Sequence, residues 1–209
     1  MTARILPDDD AGRAEAVRVL RAGGLVAMPT DTVYGIGVAW SSSPDAIERL
    51  FAAKRRPAER AIVLLLADAH QARELATLTP AAERLAAAFW PGGLTLVVPQ
   101  RPDVPRPPEL TGGRPTIGLR VPDHDCPRTL AAALGLAVTS ANLSGQPDAS
   151  DAAEVRRQLG DAIDLILDGG PARGGTASTV VDCSASVPRI LRAGAISTSD
   201  IERVLAGRS

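Results

Sequence analysis

The stretch LVAMPTDTVYGIG, residues 25–37, holds the two features on which the interpretation of this chain depends. Its first part, LVAMP (25–29), is a short apolar run of the kind that forms a buried strand. Its second part, PTDTVYGIG (29–37), brings three hydroxyl groups, one carboxylate and two glycines directly after that strand. Ligands of open α/β sheets bind where loops leave the carboxyl ends of strands, so this loop is a predicted site. A glycine-punctuated turn between two strands is the alternative.

Strand-like and helix-like segments alternate on both sides of this stretch. The apolar runs predict strands at 61–67, 94–99, 116–122, 136–142, 163–170, 178–183 and 188–194. Caps and helical periodicity predict helices at about 10–22, 44–51, 79–90, 130–134, 151–159 and 199–206. This alternation indicates an α/β fold, and the lack of a helix between 163 and 194 favours a mixed sheet. The proline-rich residues 100–115 are expected to form a long surface loop, and residues 1–209 a single domain.

Composition excludes several classes of protein. The chain has 209 residues, a formal net charge of −1 and five aromatic residues, which argues against coating nucleic acid by charge alone. Cys126 and Cys183 are far apart and match no zinc-binding or disulfide framework. No apolar run is long enough to span a membrane, and the acidic start MTARILPDDD is unlike a signal peptide. We therefore expect a cytoplasmic protein with no membrane association.

Three further polar groups are candidates for binding. The segment AAKRRPAER (52–60) gathers four basic residues, among them Lys54, the single lysine among 23 basic residues. Such a cluster suits a polyanion, although a solvated charged surface is the commoner outcome. The segment TSANLSGQPDAS (139–150) follows a strand and offers hydroxyl, amide and backbone donors for phosphate. The third group consists of residues dispersed over three strands: Arg120, Ser178, Thr179 and Arg192.

Several familiar sites are missing from the sequence. There is no GxxxxGK[ST] phosphate loop and no GxGxxG after the first predicted strand, so P-loop and Rossmann sites are not supported. With only His70 and His124, no hydrolase triad can be assembled. His124 precedes a predicted helix, where a surface position or a capping role is expected. No metal site formed by protein ligands is predicted.

Six motifs in order give the sequence a resemblance to a known family. PTDTVYGIG, KRRP, WPGGLTLV, GLRVPDH, TSANLSG and ASTVVD…ILRAG together resemble the YrdC-type threonylcarbamoyl-AMP synthases, from about Gly24 to Gly194. The resemblance implies a short single-domain form, with a twisted mixed sheet flanked by helices around a large basic cleft. It also implies that L-threonine, bicarbonate (or CO2) and Mg²⁺-bound ATP give threonylcarbamoyl-AMP and pyrophosphate. That product serves threonylcarbamoyladenosine modification at position 37 of tRNA.

The resemblance also assigns roles to residues. Lys54 and Arg56 of the KxRP motif are expected to be catalytic and to hold ATP phosphates. Ser140, Asn142 and Arg192 are expected on the nucleotide side, and Thr32, Arg120 and Ser178 on the threonine side. Many members carry Pro-Leu and then a histidine after the basic loop, where this chain has Ala61-Ile62 followed by valine and leucines. Downstream threonylcarbamoyl transferase proteins are the expected partners, with weak tRNA binding a further possibility.

Two alternatives and one mobile element complete the expectations. An RNA-binding module, or a related carbamoyl-transfer or nucleotide-hydrolysing protein, would also use a basic cleft. The glycine-rich segment GGPARGGT (169–176) is expected to form part of a lid that excludes water from a labile carbamate.

Overall fold

The structure, a computed structural model, describes residues 2–41, 44–55, 62–104 and 106–207. Its strands are β1 (Arg4–Pro7), β2 (Val26–Met28), β3 (Gly35–Ala39), β4 (Val63–Leu65), β5 (Leu94–Pro99), β6 (Thr116–Arg120), β7 (Leu136–Ser140), β8 (Leu165–Asp168), β9 (Thr179–Asp182) and β10 (Arg189–Arg192). Its helices are α1 (Asp10–Arg21), α2 (Pro44–Lys54), α3 (Ala69–Leu75), α4 (Pro80–Phe89), α5 (Pro108–Thr111), α6 (Asp125–Ala133), α7 (Ala152–Leu159) and α8 (Thr198–Leu205).

All ten of these strands join one mixed sheet, in the order β1-β8-β2-β3-β7-β4-β6-β5-β9-β10. The pairs β1·β8, β2·β8, β4·β6 and β5·β9 are parallel, and the other five pairs are antiparallel. The predicted α/β class with a mixed sheet is therefore confirmed. Because the strand order departs from the chain order, loops that are distant in sequence meet over the middle of the sheet.

Local signals explain where most helices begin. The side chains of Asp9, Thr79, Asp151 and Ser197 each accept a hydrogen bond from a backbone N–H in the first turn of the following helix. His124 does the same for α6, where its Nδ1 accepts from Cys126 N at 3.2 Å. This confirms the predicted capping role of that histidine. Both cysteines are free and buried, as the sequence indicates.

Four elements differ from the sequence prediction. Strand β1 and helix α3 were not anticipated, and α5 lies inside the stretch that was predicted to be a continuous loop. Strand β3 begins at Gly35, inside the segment predicted to be a binding loop, and pairs directly with β2, so the alternative of a turn between two strands is confirmed. A Cβ at Gly35 would lie 2.8 Å from Val138 Cγ1 on β7, so glycine is needed where strand propensity would predict a larger residue.

The two faces of the sheet are covered to different extents. Side chains such as Ile36, Leu64 and Leu119 pack in the larger core, which includes residues of α2, α4, α7 and α8. On the opposite face, residues of α1 and α6 form a second core against β8 and β2, with Leu65 and Val138 at its margin. Alternate residues of a strand point to opposite faces, so β5, β6 and β9 present part of their second face to a cavity.

Candidate functional site

The uncovered part of the sheet face forms a cavity of about 540 Å³. Its floor carries small or aliphatic side chains from the central strands, and its walls come from the connections between them. Three arginines line it, namely Arg114, Arg120 and Arg192, and no acidic side chain among the described lining residues offsets them. The cavity also brings together the predicted residues Thr32, Ser140 and Ser178. These observations give the basic cleft that was predicted.

Arg120 and Thr32 form one corner of the cavity. Arg120 is buried at the end of β6, and its Nη1 donates to Thr32 Oγ1 at 3.0 Å. Its Nε donates to the carbonyl oxygen of Gly92, also at 3.0 Å, so the WPGG turn holds the guanidinium in place. Arg120 has five N–H groups, and two of them have no partner among the described residues. Those two groups leave this cation able to bind a carboxylate.

Asp31 supplies the charge that compensates Arg120. Arg120 Nη2 donates to Asp31 Oδ1 at 2.7 Å, and the two side chains are 7% and 12% exposed. Burial lowers the pKa of the Arg120 guanidinium, and the neighbouring carboxylate works in the opposite direction. The sequence showed a carboxylate in this loop but gave no reason to assign it to Arg120.

Thr30 fixes the orientation of the Thr32 hydroxyl. Thr30 Oγ1 donates its hydrogen to the Val33 carbonyl at 2.6 Å and accepts the backbone N–H of Thr32. In the 3.0 Å contact between the two hydroxyls, Thr32 must therefore be the donor. Thr32 Oγ1 donates to Thr30 and accepts from Arg120, which leaves one lone pair for a ligand.

The wall beside Arg120 contains Thr95, on the neighbouring strand β5, together with Ser178 and Arg192. Ser178 Oγ lies 2.9 Å from Thr95 Oγ1 on β5, and both residues are buried. Arg192 is exposed, and its Nη2 donates to the Ser178 carbonyl at 2.8 Å and to Ser178 Oγ at 3.2 Å. Sequence analysis missed Thr95 because it stands in the apolar run LTLVVP. The one available signal was that Thr95 is the single polar residue in this otherwise apolar strand.

Lys54 lies beneath the loop that follows β7. It is 1% exposed, and its Nζ donates to the carbonyl oxygens of Ser140 and Asn142, the second at 2.6 Å, and to Asn142 Oδ1 at 3.1 Å. Asn142 Oδ1 also accepts from Ser140 Oγ at 2.6 Å, and Asn142 Nδ2 donates to the Gln146 carbonyl. The cation thus holds the TSANLSG loop through its oxygens, and Ser140 from this group lines the cavity.

Helix α2 ends at Lys54, the first residue of the KRRP motif. Arg55 has φ 51°, a left-handed conformation that ends the helix directly after Lys54. Arg56, which was predicted to hold phosphate, lies outside the described residues, as do the rest of the KRRP motif and Ala61. The role of Arg56 therefore stays a prediction.

The glycine-rich segment 169–176 runs beside the Thr32 corner. Tyr34 Oη donates to the Gly170 carbonyl at 2.8 Å and accepts from Gly169 N at 3.2 Å. Further along, a Cβ at Gly174 would lie 2.7 Å from the Asp31 carbonyl oxygen, which shows how closely the segment passes. This position is compatible with the predicted lid.

The described part of the chain comprises residues 2–41, 44–55, 62–104 and 106–207. Within them, no group of three or more His, Cys, Asp or Glu residues has the arrangement needed to hold a metal ion. None of the helices there is long and apolar enough to cross a membrane.

Comparison with known proteins defines the family. The sequence model of the Sua5_yciO_yrdC family, described as "Telomere recombination", matches residues 18–194, so the chain belongs to this family. A Bacillus subtilis relative named "Threonylcarbamoyl-AMP synthase" is 39% identical over 96% of this chain. A Mycobacterium tuberculosis relative named "Putative threonylcarbamoyl-AMP synthase" is 42% identical over 93% of it. Threonylcarbamoyl-AMP synthases are nucleotidyltransferases.

A solved structure gives the same result for the fold. The crystal structure of Pyrococcus abyssi Sua5 complexed with L-threonine aligns with 97% of this chain at 37% identity and a TM-score of 0.87. The chain spans 58% of the Bacillus relative and 60% of the Pyrococcus one, but 89% of the Mycobacterium one. Its likeness to the longer relatives is therefore confined to part of their length.

Proposed function

We propose that this chain is a threonylcarbamoyl-AMP synthase, which joins L-threonine, bicarbonate or CO2, and ATP into threonylcarbamoyl-AMP and pyrophosphate. The observation that carries the proposal is the convergence of Thr32, Ser140, Arg120, Ser178 and Arg192 on one cavity. These residues come from five separate segments of the chain, and the sequence motifs indicate all five. The family and the names of its relatives are consistent with this reaction.

Threonine is proposed to bind at the Arg120 corner. The two remaining N–H groups of Arg120 suit the amino-acid carboxylate, since a guanidinium binds a carboxylate through a planar pair of donors. Thr32 Oγ1 has a lone pair left, which can accept a hydrogen bond from the amino group. Ser178 bonds Thr95, whose strand neighbours that of Arg120, so the side chain of a threonine held at Arg120 would reach it.

ATP is proposed to bind towards the TSANLSG loop and the end of α2. Ser140 lines the cavity and its hydroxyl donates to Asn142 Oδ1, so the pair is proposed to orient the α- and β-phosphates by fixing this loop. Lys54 is proposed to supply positive charge at this end from its buried position below the loop. Arg56, outside the described residues, is expected to add a second cation. Arg192, which the resemblance assigns to the nucleotide, adds a third cation at the exposed mouth, where it also bonds Ser178 of the threonine side.

The chemistry requires no covalent enzyme intermediate. Threonine's amine adds to CO2 with loss of a proton, and a carbamate oxygen then attacks the α-phosphorus while the bond to pyrophosphate breaks. In-line positioning and neutralisation of the leaving group supply most of such a rate enhancement. Mg²⁺ is proposed to enter with ATP on its phosphate oxygens. The segment 169–176 is proposed to close over the carbamate and keep water away.

The biological setting follows from the product. We propose that residues 1–209 act as a single YrdC-like domain in the cytoplasm, where ATP, threonine and tRNA are present. A mixed anhydride of this kind hydrolyses readily, so a threonylcarbamoyl transferase is the proposed partner that carries the group to position 37 of tRNA. Direct tRNA contact, if present, is proposed to be weak because of the near-neutral charge.

One assay tests the proposal against its alternatives. The purified chain is incubated with ATP, Mg²⁺, bicarbonate and labelled L-threonine, and the products are separated. We expect labelled threonylcarbamoyl-AMP and one pyrophosphate per adduct, with no adduct when bicarbonate is omitted. Tight RNA binding without adduct formation would support an RNA-binding module, and nucleotide hydrolysis independent of threonine would support a carbamoyl-phosphate-related activity.

A further inference from the structure

We propose that the Thr95–Ser178 hydroxyl pair reads the β-hydroxyl of the amino-acid substrate and makes this cavity selective for threonine over valine. The inference rests on the proposed function, since it assigns part of the threonine site. It adds Thr95, a residue that neither the sequence motifs nor the resemblance single out. The two buried hydroxyl groups bond each other and keep hydrogen-bonding capacity that no described neighbour uses.

The pair has an unassigned hydrogen in either of its orientations. Thr95 and Ser178 each carry one hydroxyl hydrogen, and one of the two is used in the 2.9 Å contact between them. Arg192 adds a further hydrogen to Ser178 Oγ from outside the pair. No other described group accepts from either hydroxyl, so one hydroxyl hydrogen and at least one lone pair stay available at the cavity wall.

This combination of donor and acceptor matches a hydroxyl better than the other groups of the substrate. A carboxylate only accepts hydrogen bonds and an ammonium only donates them, whereas an alcohol does both. The adjacent Arg120 already provides donors that suit the carboxylate. The pair is therefore the part of the wall whose chemistry corresponds to the β-hydroxyl.

Sheet register places the pair at a suitable distance from Arg120. Leu96 pairs with Leu119 and Val97 with Gly118, so Thr95 stands opposite Arg120 on the same face of neighbouring strands. Side chains in that relation are separated by about 5 Å. On the other side, Thr95 pairs with Val180 of β9, which also lines the cavity and offers an apolar surface to the substrate methyl.

Burial makes the pair selective. Thr95 is 1% exposed and Ser178 is 5% exposed, so water does not readily replace a missing partner. A site that hydrogen-bonds a substrate hydroxyl rejects the analogue without it, because its own buried polar groups are then left unpaired. Valine has the shape of threonine and lacks that hydroxyl, which makes it the appropriate competitor.

The test compares L-threonine with L-valine in wild type and Thr95→Val. The two kcat/KM values for adenylate formation are measured, together with calorimetric binding of each amino acid. In Thr95→Val we expect the threonine-to-valine ratio to fall about tenfold or more, mainly because threonine binds less well. Thr116→Val, the same change at the other end of the cavity, should keep the wild-type ratio. A wild-type ratio in a folded Thr95→Val protein would overturn the inference.

Further outcomes separate this inference from the proposed function. Ser178→Ala gives the same ratio measurement if Thr95→Val does not fold. A purely structural role for the pair would lower the melting temperature without changing the ratio, and that result also overturns the inference. Absence of adduct from the wild type would contradict the proposed function, while calorimetry would still show whether threonine is preferred to valine.

Discussion

Arg120 Nη2 donates to Asp31 Oδ1 at 2.7 Å, and the two side chains, 89 positions apart in the chain, are buried together. This ion pair compensates the cation to which we assign the substrate carboxylate. Removing one partner of a buried pair leaves an uncompensated charge, which is far more costly than losing a surface pair. The pair therefore links the stability of the empty site to its affinity for an anion.

The first prediction concerns Asp31→Asn, which keeps the shape of the side chain and removes its charge. We expect the free energy of unfolding to fall by about 3–5 kcal/mol. Added L-threonine should raise the melting temperature more in this variant than in wild type, because its carboxylate replaces the lost charge. Thermal denaturation with and without threonine measures both effects. Asp103→Asn, in the exposed pair with Arg101, should cause no measurable change; equal effects of the two variants would contradict the assignment.

The second prediction concerns Lys54, whose ammonium group holds the loop after β7. Lys54→Ala should lower kcat/KM for ATP by about 100-fold or more, because the carbonyl oxygens of Ser140 and Asn142 lose their buried donor. Lys54→Arg should not restore activity, since a planar guanidinium does not fit the space of a compact ammonium. Arg157→Ala is the control, because Arg157 is exposed and its ion pair with Glu154 is long, at 3.7 Å. Comparable losses in Lys54→Ala and Arg157→Ala would remove Lys54 from the site.

The third prediction concerns the attachment of the segment 169–176. Tyr34→Phe removes the hydroxyl that bonds Gly169 and Gly170, so amide hydrogen exchange in this segment should become faster while the sheet is unaffected. Burial raises the pKa of Tyr34 to about 12 from its ordinary value of 10.0. The hydrogen bond from the Tyr34 hydroxyl therefore stabilises the segment fully below pH 10. This stabilisation is lost only as the pH rises through about 12. Faster exchange of the wild type between pH 8 and pH 10, beyond the intrinsic base dependence, would disagree with this.

The fourth prediction concerns closure of the same segment over the substrates. Binding of ATP and threonine together should slow amide exchange in residues 169–176, since the segment already passes beside Asp31 and Thr32. Exchange in α8, which lies outside the cavity lining, should stay the same and serves as the internal control. Unchanged exchange in 169–176 with both substrates bound would eliminate the lid.

The fifth prediction compares two glycines near the cavity. A Cβ at Gly118 would make ordinary contacts, the nearest at 3.5 Å to Val63 Cγ2, and would project from the cavity floor. Gly118→Ala should leave the melting temperature unchanged and raise the KM for threonine or for ATP, whichever of them contacts the cavity floor. A Cβ at Gly93 would lie 2.6 Å from Ala195 Cβ, so Gly93→Ala should lower the melting temperature by displacing the WPGG turn. Denaturation and steady-state kinetics on both variants separate the two effects, and a destabilised Gly118→Ala would contradict the floor position.

Hydrophobic pattern accounts for the parts of the fold that were predicted well. The run LTLVVP coincides with β5 (Leu94–Pro99), and the helix predicted at 79–90 with α4 (Pro80–Phe89), because both signals are local. The bounds of strand β3 were not predicted, because its glycines are poor strand formers. They are required by the close approach of Val138 on β7, which the local sequence does not show. Helix α5 escaped because four residues among prolines give no periodicity.

The sequence by itself determined the α/β class, the order of the motifs, and through them the family. It also indicated most of the polar residues that line the cavity. Only the tertiary structure decided which of them meet, since Thr32 and Arg120 are 88 positions apart and Thr95 and Ser178 are 83 apart. The buried position of Lys54 was equally unforeseeable, because lysine is seldom fully buried. These contacts depend on a strand order different from the chain order, and local patterns carry no information about that order.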